Sequence, residues 1–300
     1  MLFSVLVANY NNGQYLPVLI ESLYNQTYPD WELILVDDCS SEDTYKYIGQ
    51  HLNDKRVVFI KHSENKGAGA AFKTAADNAR GQIMGMLGAD DALMPKAIEK
   101  MVTAHQQFPR ASLINSHCYL CNENLEIQYQ YPNYKPLETG QALIRNLTVG
   151  SFATFKTSAY FKTAGFDPFF KRAVDHDIYL KLDEVGELKF VDEPLYLYRK
   201  NLLGISQNDN GIKAAQFSIL ARRNAYIRRK STSLENLTAE EIKLLMKKWY
   251  LNEIFQAWQA GDKKVCNGLL LKSIQEFPSL FFNKHFMGHL FKNNFGVNKA

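Results

Sequence analysis

Three acidic clusters are the residues of this chain best suited to chemistry: Asp37-Asp38, Asp90-Asp91 and Asp175-His176-Asp177. Adjacent carboxylates repel one another, and a hard cation or a positively charged partner relieves the repulsion. Asp90-Asp91 closes the apolar run MGMLGADD. Mg²⁺ or Mn²⁺ is commonly held in this sparse way, by one or two protein carboxylates with phosphate oxygens and water. An acidic helix N-cap explains the same pair equally well. Asp37-Asp38 precedes Cys39-Ser40-Ser41, which suits an Asx turn. A carboxylate there can also accept the imide N–H of a uracil ring, with Tyr10 stacking on the base. In the third cluster, ahead of the run IYLKL, one carboxylate suits the first turn of a helix. The other is free to take a proton from an attacking hydroxyl. His176, a lone histidine, reads as a surface or packing residue. Gly67 and Gly69 in NKGAGAAF permit close backbone approach and open a helix whose N-terminus favours anions.

The elements that must position these clusters alternate. Phe3 to Val7 reads as a buried strand, and Leu16, Leu19, Ile20 and Leu23 give one apolar face to a helix from about Tyr15 to Asn25. Strands follow at Glu32 to Val36, Val57 to Lys61, Gln82 to Leu87 and Ser112 to Ser116. Helices stand between them, near Thr44, from Gly67 to Asn78 and from Pro95. Such alternation predicts a mostly parallel sheet covered by helices on both faces, with ligands beyond the carboxyl ends of the strands. The polar clusters fall at those ends, so topology brings distant residues to one crevice. Leu120 to Ala173 is less regular and suits hairpins that bind substrate. From Gly211 the pattern is helical, with a polar boundary near Ser231 to Thr238.

Bulk properties exclude several classes. Thirty-five basic against 31 acidic residues give a net charge of +4, too small to announce nucleic acid as a partner. Four scattered cysteines, Cys39, Cys118, Cys121 and Cys266, make no disulfide framework and point to a reducing, cytoplasmic compartment. Cys118 and Cys121 have CxxC spacing without a second ligand pair, which predicts two buried thiols. The N-terminus lacks the basic region and cleavage site of a signal peptide, and no window offers a membrane span. The segment FPSLFFNKHFMGHLFKNNF reads either as an amphipathic patch for anionic lipid or as a helical appendage packing on the catalytic domain or a dimer partner.

From Phe3 to about Ser206 the sequence resembles the inverting family 2 glycosyltransferases of GT-A fold. The likeness rests on SVLVANYNNGQYLPVLIESLYNQTYPDWELILVDDCSSEDT, then NKGAGAAF, GADDALMP, GFDPFF with VDHDIYLKL, and PLYLYRKNLLGIS. It implies an α/β, Rossmann-like central sheet flanked by helices. The expected division is a catalytic domain over 1–210, with a nucleotide-sugar half at 1–118 and an acceptor half at 119–210, and a helical extension at 211–300. The resemblance implies that Ala8, Tyr10, Asp37, Asp38, Gly67, Asp90 and Arg199 bind the nucleotide sugar. Asp91 holds the Mn²⁺ or Mg²⁺ that bridges the diphosphate, and Asp175 is the catalytic base. The implied donor is a UDP-sugar and the acceptor a saccharide or lipid-linked saccharide, in surface polysaccharide biosynthesis. Five positions depart from the family: Gly88 where Asp is frequent, Phe72-Lys73 for Arg-Asn, Val174 for Glu, and Asn201 for His.

Two rival readings have their own tests. A sugar-phosphate nucleotidyltransferase wants a glycine-rich basic loop after the first strand, and Asn9 to Gln14 has only Gly13 and no Lys or Arg. A non-catalytic nucleotide-sugar-binding protein of the same fold is the second rival, invited by Gly88, and the retention of Asp38, Asp91 and Asp175 together argues against it.

Overall fold

Every residue of β2 (Trp31–Asp37) is buried, and so is all of β1 (Phe3–Asn9) except Ala8. Burial of both faces is what a parallel sheet between two helical layers requires. The computed structural model describes residues 1–131, 143, 144, 147, 149, 150, 152–201, 210–231, 238–259 and 261–278. After β1 come α1 (Leu16–Tyr24), β2, the short α2 (Tyr45–Ile48), β3 (Val57–Lys61), α3 (Ala68–Asp77) and β4 (Ile83–Met86). They are followed by β5 (Ala92–Leu93), α4 (Ala97–Gln107), β6 (Ala111–Cys121), β7 (Ile127–Gln130), β8 (Ala153–Lys156) and α5 (Thr157–Tyr160). The remaining elements are α6 (Val174–Asp183), β9 (Glu187–Arg199), α7 (Asn210–Ser231), α8 (Ala239–Gln259) and α9 (Lys263–Glu276).

Among the described residues the strands form one sheet in the order β3-β2-β1-β4-β8-β6-β9-β5, with β7 on β6. The expectation of a parallel sheet holds for β3, β2, β1 and β4. Beyond β4 the sheet is mixed, because β8 runs antiparallel to both β4 and β6, and β5 to β9, while β6 and β9 are parallel. Parallel neighbours need a crossover helix, whereas β6 returns directly as the hairpin strand β7. Asn122 builds that turn, its Oδ1 accepting the N–H groups of Asn124 and Glu126.

The apolar face of α1, Leu16, Leu19, Ile20 and Leu23, is buried in one cluster with Phe3, Val5 and Val7 of β1 and Leu33 and Leu35 of β2. A buried charge interrupts β2 near its start. Glu32 is neutralised by Arg80, whose Nη2 lies 2.7 Å away, and it accepts a hydrogen bond from the Ser4 hydroxyl at 2.7 Å. Cys118 and Cys121 are buried on β6, in line with their sequence reading.

The chain divides into two compact units, Met1–Asn201 and Leu202–Ala300. In the second unit α7, α8 and α9 pack around the buried Trp249, Tyr250, Leu269 and Leu270. Arg222 lies over the Trp249 ring at 5.6 Å and 3.7 Å from Glu253. None of the described helices is long and apolar enough to cross a membrane. The 279–295 part of the amphipathic C-terminal segment, the 232–237 stretch of the expected boundary and most of 132–151 lie outside the described residues.

Candidate active site

The carboxyl ends of β1 and β2 are joined by Asp37. Its Oδ2 accepts from the Asn9 amide at 2.9 Å and from the Thr44 hydroxyl, and its Oδ1 accepts the Ser40 N–H at 2.7 Å. Burial pushes the Asp37 pKa up, yet the hydrogen bonds from Thr44, Ser40 and Asn9 outweigh it and hold the carboxyl below its ordinary value. Asp37 is thus the Asx-turn residue of the pair. Fully buried, its carboxylate shapes the loop.

Asp38 points the other way, toward the loop after β3. It is 3% exposed. Its Oδ1 lies 2.7 Å from His62 Nδ1 and accepts the Lys66 N–H at 2.9 Å, and its Oδ2 accepts the Gly67 N–H at 2.6 Å. The sequence pointed to Asp38 as a base contact. The fold gives it an internal role as well, because this carboxylate holds the turn that opens α3. Gly67 sits there at φ +92°, and a Cβ would meet Lys171 Cγ at 2.9 Å, so only glycine fits. Above the loop, Tyr10 is 47% exposed, free to serve as a flat platform, and Ala8 is half-buried at the strand end.

The Asp90-Asp91 pair is not a helix cap. Strand β5 intervenes, and α4 begins after Lys96. Asp91 turns inward: Oδ2 receives the Tyr196 hydroxyl at 2.5 Å and Oδ1 the Arg199 N–H at 2.7 Å. It is 4% exposed. Burial, with the neighbouring Asp90 charge, pushes its pKa up to about 8. The expectation that Asp91 holds the cation therefore meets a carboxyl whose two oxygens are already engaged inside the protein. Asp90 is the partly exposed one. Its Oδ2 accepts from the Asn201 amide at 2.8 Å, and among the described residues its Oδ1 has no hydrogen-bond partner.

Arg199, expected near the diphosphate, acts within the protein as a brace. It is buried, its Nε donates to the Asp90 carbonyl at 2.5 Å, its Nη1 donates to the Glu123 carbonyl, and its guanidinium lies 4.6 Å over the Tyr15 ring. Side-chain and backbone contacts from the end of β9 thus fix both aspartates. The Asn201 amide also lies 3.5 Å from Asn12 Oδ1, tying the β4 loop to the β1 loop.

The two acids of the third cluster divide as their positions require. Asp177 is buried in α6 and paired with Lys181 Nζ at 2.5 Å, which also donates to the Gly165 carbonyl at 2.8 Å. Asp175, in the first turn, has a side chain 47% exposed, with His176 Nε2 at 4.0 Å. A carboxylate that must meet an incoming hydroxyl needs this accessibility. The segment leading into its helix is tied to the start of α3, since Gly69 N–H donates to the Phe170 carbonyl at 3.0 Å and Lys171 abuts Gly67.

Sequence reasoning missed His62 and Tyr196. Each lies at or near the end of a strand that contributes to the crevice, and that positional rule was the available signal. A divalent cation fits the donor set only in the sparse mode. Among the described residues no three acidic, His or Cys groups cluster as a ready-made cage, and the open Oδ1 of Asp90 is one carboxylate oxygen of the kind that mode uses. A cavity of about 600 Å³, lined among others by Glu64, Lys66, Lys73, Thr74 and Asp77, borders the Asp38 turn. None of Asp90, Asp91 or Asp175 lines it.

Solved structures share this architecture. The S. aureus TarS 1-349 structure in complex with UDP-GlcNAc superposes with a TM-score of 0.65 at 17% identity, covering 92% of this chain and 81% of that one. Mannosyltransferase PcManGT from Pyrobaculum calidifontis, in complex with GDP-Man and Mn²⁺, gives 0.59 at 13% identity over 99% of this chain and 88% of its own. Identities this low speak for the fold alone. Fold and site together define a glycosyltransferase of GT-A-like architecture. The chain belongs to glycosyl transferase family 2, which residues 4–164 match. Over 203 residues it is 34% identical to chondroitin synthase of Escherichia coli, taking in 65% of this chain and 28% of that protein. The matched part thus spans little more than a quarter of that relative.

Proposed function

We propose that this transferase moves a sugar from a uridine-diphosphate sugar to a saccharide or lipid-linked saccharide acceptor during polysaccharide assembly, with inversion at the anomeric carbon. The observation that carries the reading is the tying together of three acidic loops. Asp38 holds the Gly67 turn, Gly67 abuts Lys171 four residues before Asp175, and Asn201 links Asp90 to the Asn12 loop. The base of the donor stacks on Tyr10, and the remaining Asp38 Oδ2 lone pair accepts its imide N–H. Asp175 accepts the acceptor hydroxyl proton as that oxygen attacks. Asp90 would hold a Mn²⁺ or Mg²⁺ ion, which when bound would supply Lewis-acid stabilisation where charge grows on the leaving diphosphate. Asp91, Tyr196 and Arg199 keep Asp90 in place. UDP-GlcNAc in TarS and chondroitin synthesis in the relative support a uridine donor and a polysaccharide product.

By the same proposal the reaction runs in the cytoplasm, at the inner membrane face where the acceptor is lipid-linked, with the C-terminal segment as the contact for lipid or a second copy. The direct test is a panel of nucleotide sugars screened for thermal stabilisation with Mn²⁺. Stabilisation by UDP-sugars above other donors, followed by sugar transfer, is expected. A response to sugar-free nucleoside triphosphates instead would favour the nucleotidyltransferase reading. Salt-sensitive binding to anionic vesicles tests the membrane contact.

A further inference from the structure

His62 lies one residue beyond β3, is 8% exposed, and both of its ring nitrogens are engaged. Nδ1 is 2.7 Å from Asp38 Oδ1, and Nε2 is 3.0 Å from the Thr74 hydroxyl of α3. An ionised carboxylate only accepts, so the nitrogen facing Asp38 carries the proton. The same Asp38 accepts the N–H groups of Lys66 and Gly67. One imidazole therefore clamps a carboxylate to the helix that this carboxylate's own turn begins.

We infer that His62 is a positioning residue for the donor nucleotide: through Asp38 it fixes the Lys66–Gly67 turn, without touching donor or acceptor. The inference rests on the uridine-donor reading for its substrate, and on the geometry alone for its mechanism. Without the imidazole hydrogen bond, the Asp38 carboxylate is free to rotate from the orientation that receives both backbone amides. Donor binding weakens in that case, while Asp175 and Asp90, held by α6 and by β9, keep their places. KM for the donor rises and kcat at saturating donor stays.

The two nitrogens can be mimicked one at a time. The amide of His62→Asn falls where Nδ1 stood and can still donate to Asp38. His62→Gln reaches toward Thr74 and leaves Asp38 without its ring partner, and His62→Leu removes both. Loss of a hydrogen bond to a charged group corresponds to about a tenfold to hundredfold change. His62→Gln and His62→Leu are thus expected to raise the Kd for UDP with Mn²⁺, and the KM for UDP-sugar, about tenfold or more, with kcat within about twofold. His62→Asn should stay within about threefold of wild type on both measures.

Amide hydrogen exchange at Lys66 and Gly67 reads the mechanism without any nucleotide. Exchange should accelerate in His62→Gln and stay protected in His62→Asn. Equal donor affinity in Gln and wild type, equal weakening in Asn and Gln, or a fall in kcat at unchanged KM would each overturn the inference. If His62→Leu does not fold, the Asn and Gln pair decides alone. Failure of the wild-type chain to bind UDP would end the uridine reading and this role in donor binding with it. Protection at Lys66 and Gly67 would then show separately whether His62 holds the turn.

Discussion

Tyr196 places its hydroxyl 2.5 Å from Asp91 Oδ2 and receives the Gly88 N–H at 3.0 Å on the same oxygen. That contact explains the glycine at a position where the family often carries Asp. A Cβ at residue 88 would lie 2.5 Å from Asp91 Oδ2 and 3.2 Å from the Tyr196 hydroxyl. Gly88→Asp should therefore destabilise the chain by about 1–3 kcal/mol through overpacking, seen as a lower Tm. Tyr196→Phe keeps the shape and leaves Asp91 and the Gly88 N–H short of a partner, at a cost of about 1–3 kcal/mol. An unchanged Tm in both variants would show the pair to be idle.

Asp90 and Asp91 should separate in calorimetry. Asp90→Asn is expected to abolish the Mn²⁺-dependent part of donor binding while leaving Tm near wild type, because its side chain is partly exposed. Asp91→Asn should keep metal-dependent binding and change chiefly stability, since its oxygens serve Tyr196 and Arg199. The opposite pattern would return the cation to Asp91.

Asp175→Asn should lower kcat by about a hundred- to ten-thousand-fold, with UDP affinity retained. The neighbouring acid gives a contrasting result. Asp177→Asn leaves the buried Lys181 ammonium without its charge partner, costing about 3–5 kcal/mol of stability. Near-normal turnover in Asp175→Asn would remove it as the base.

His105 predicts how the fold responds to acid. Burial, helped by the Lys156 charge, lowers its pKa from 6.5 to about 3, and its Nε2 is 3.0 Å from the Thr154 hydroxyl. The folded ring stays neutral where the unfolded ring is protonated. Between about pH 6.5 and 3 the unfolded state thus binds more protons, and stability falls as pH falls through that window. The slope is at most about 1.4 kcal/mol per pH unit from this group. Urea unfolding at several pH values should show a shallower acid limb for His105→Leu than for wild type; parallel limbs would contradict it.

The amino-acid sequence by itself determined the parallel half of the sheet and where its loops converge. Periodic apolar runs such as Leu16, Leu19, Ile20 and Leu23, and the uninterrupted apolar stretch of β2, are local signals, and the rule for ligands at strand ends turns them into a crevice. Residue types also separated a structural from an accessible acid in Asp175-His176-Asp177, and the family resemblance gave the accessible role to Asp175. Only the tertiary structure assigned orientation. Asp37 ends β2 and Asp38 opens the loop after it, and their side chains turn apart, one into the Asn9 and Thr44 loop and the other to His62 and Gly67. Asp90 and Asp91 differ because Tyr196 and the Arg199 backbone, more than a hundred residues later, engage one carboxylate and leave the other partly open. Arg199 became a brace for the same reason: its nearest acceptors, the Asp90 and Glu123 carbonyls, are set by strand pairing. Residue types and spacing say which groups can do chemistry, while hydrogen bonds between distant strand ends decide which of them are still free to do it.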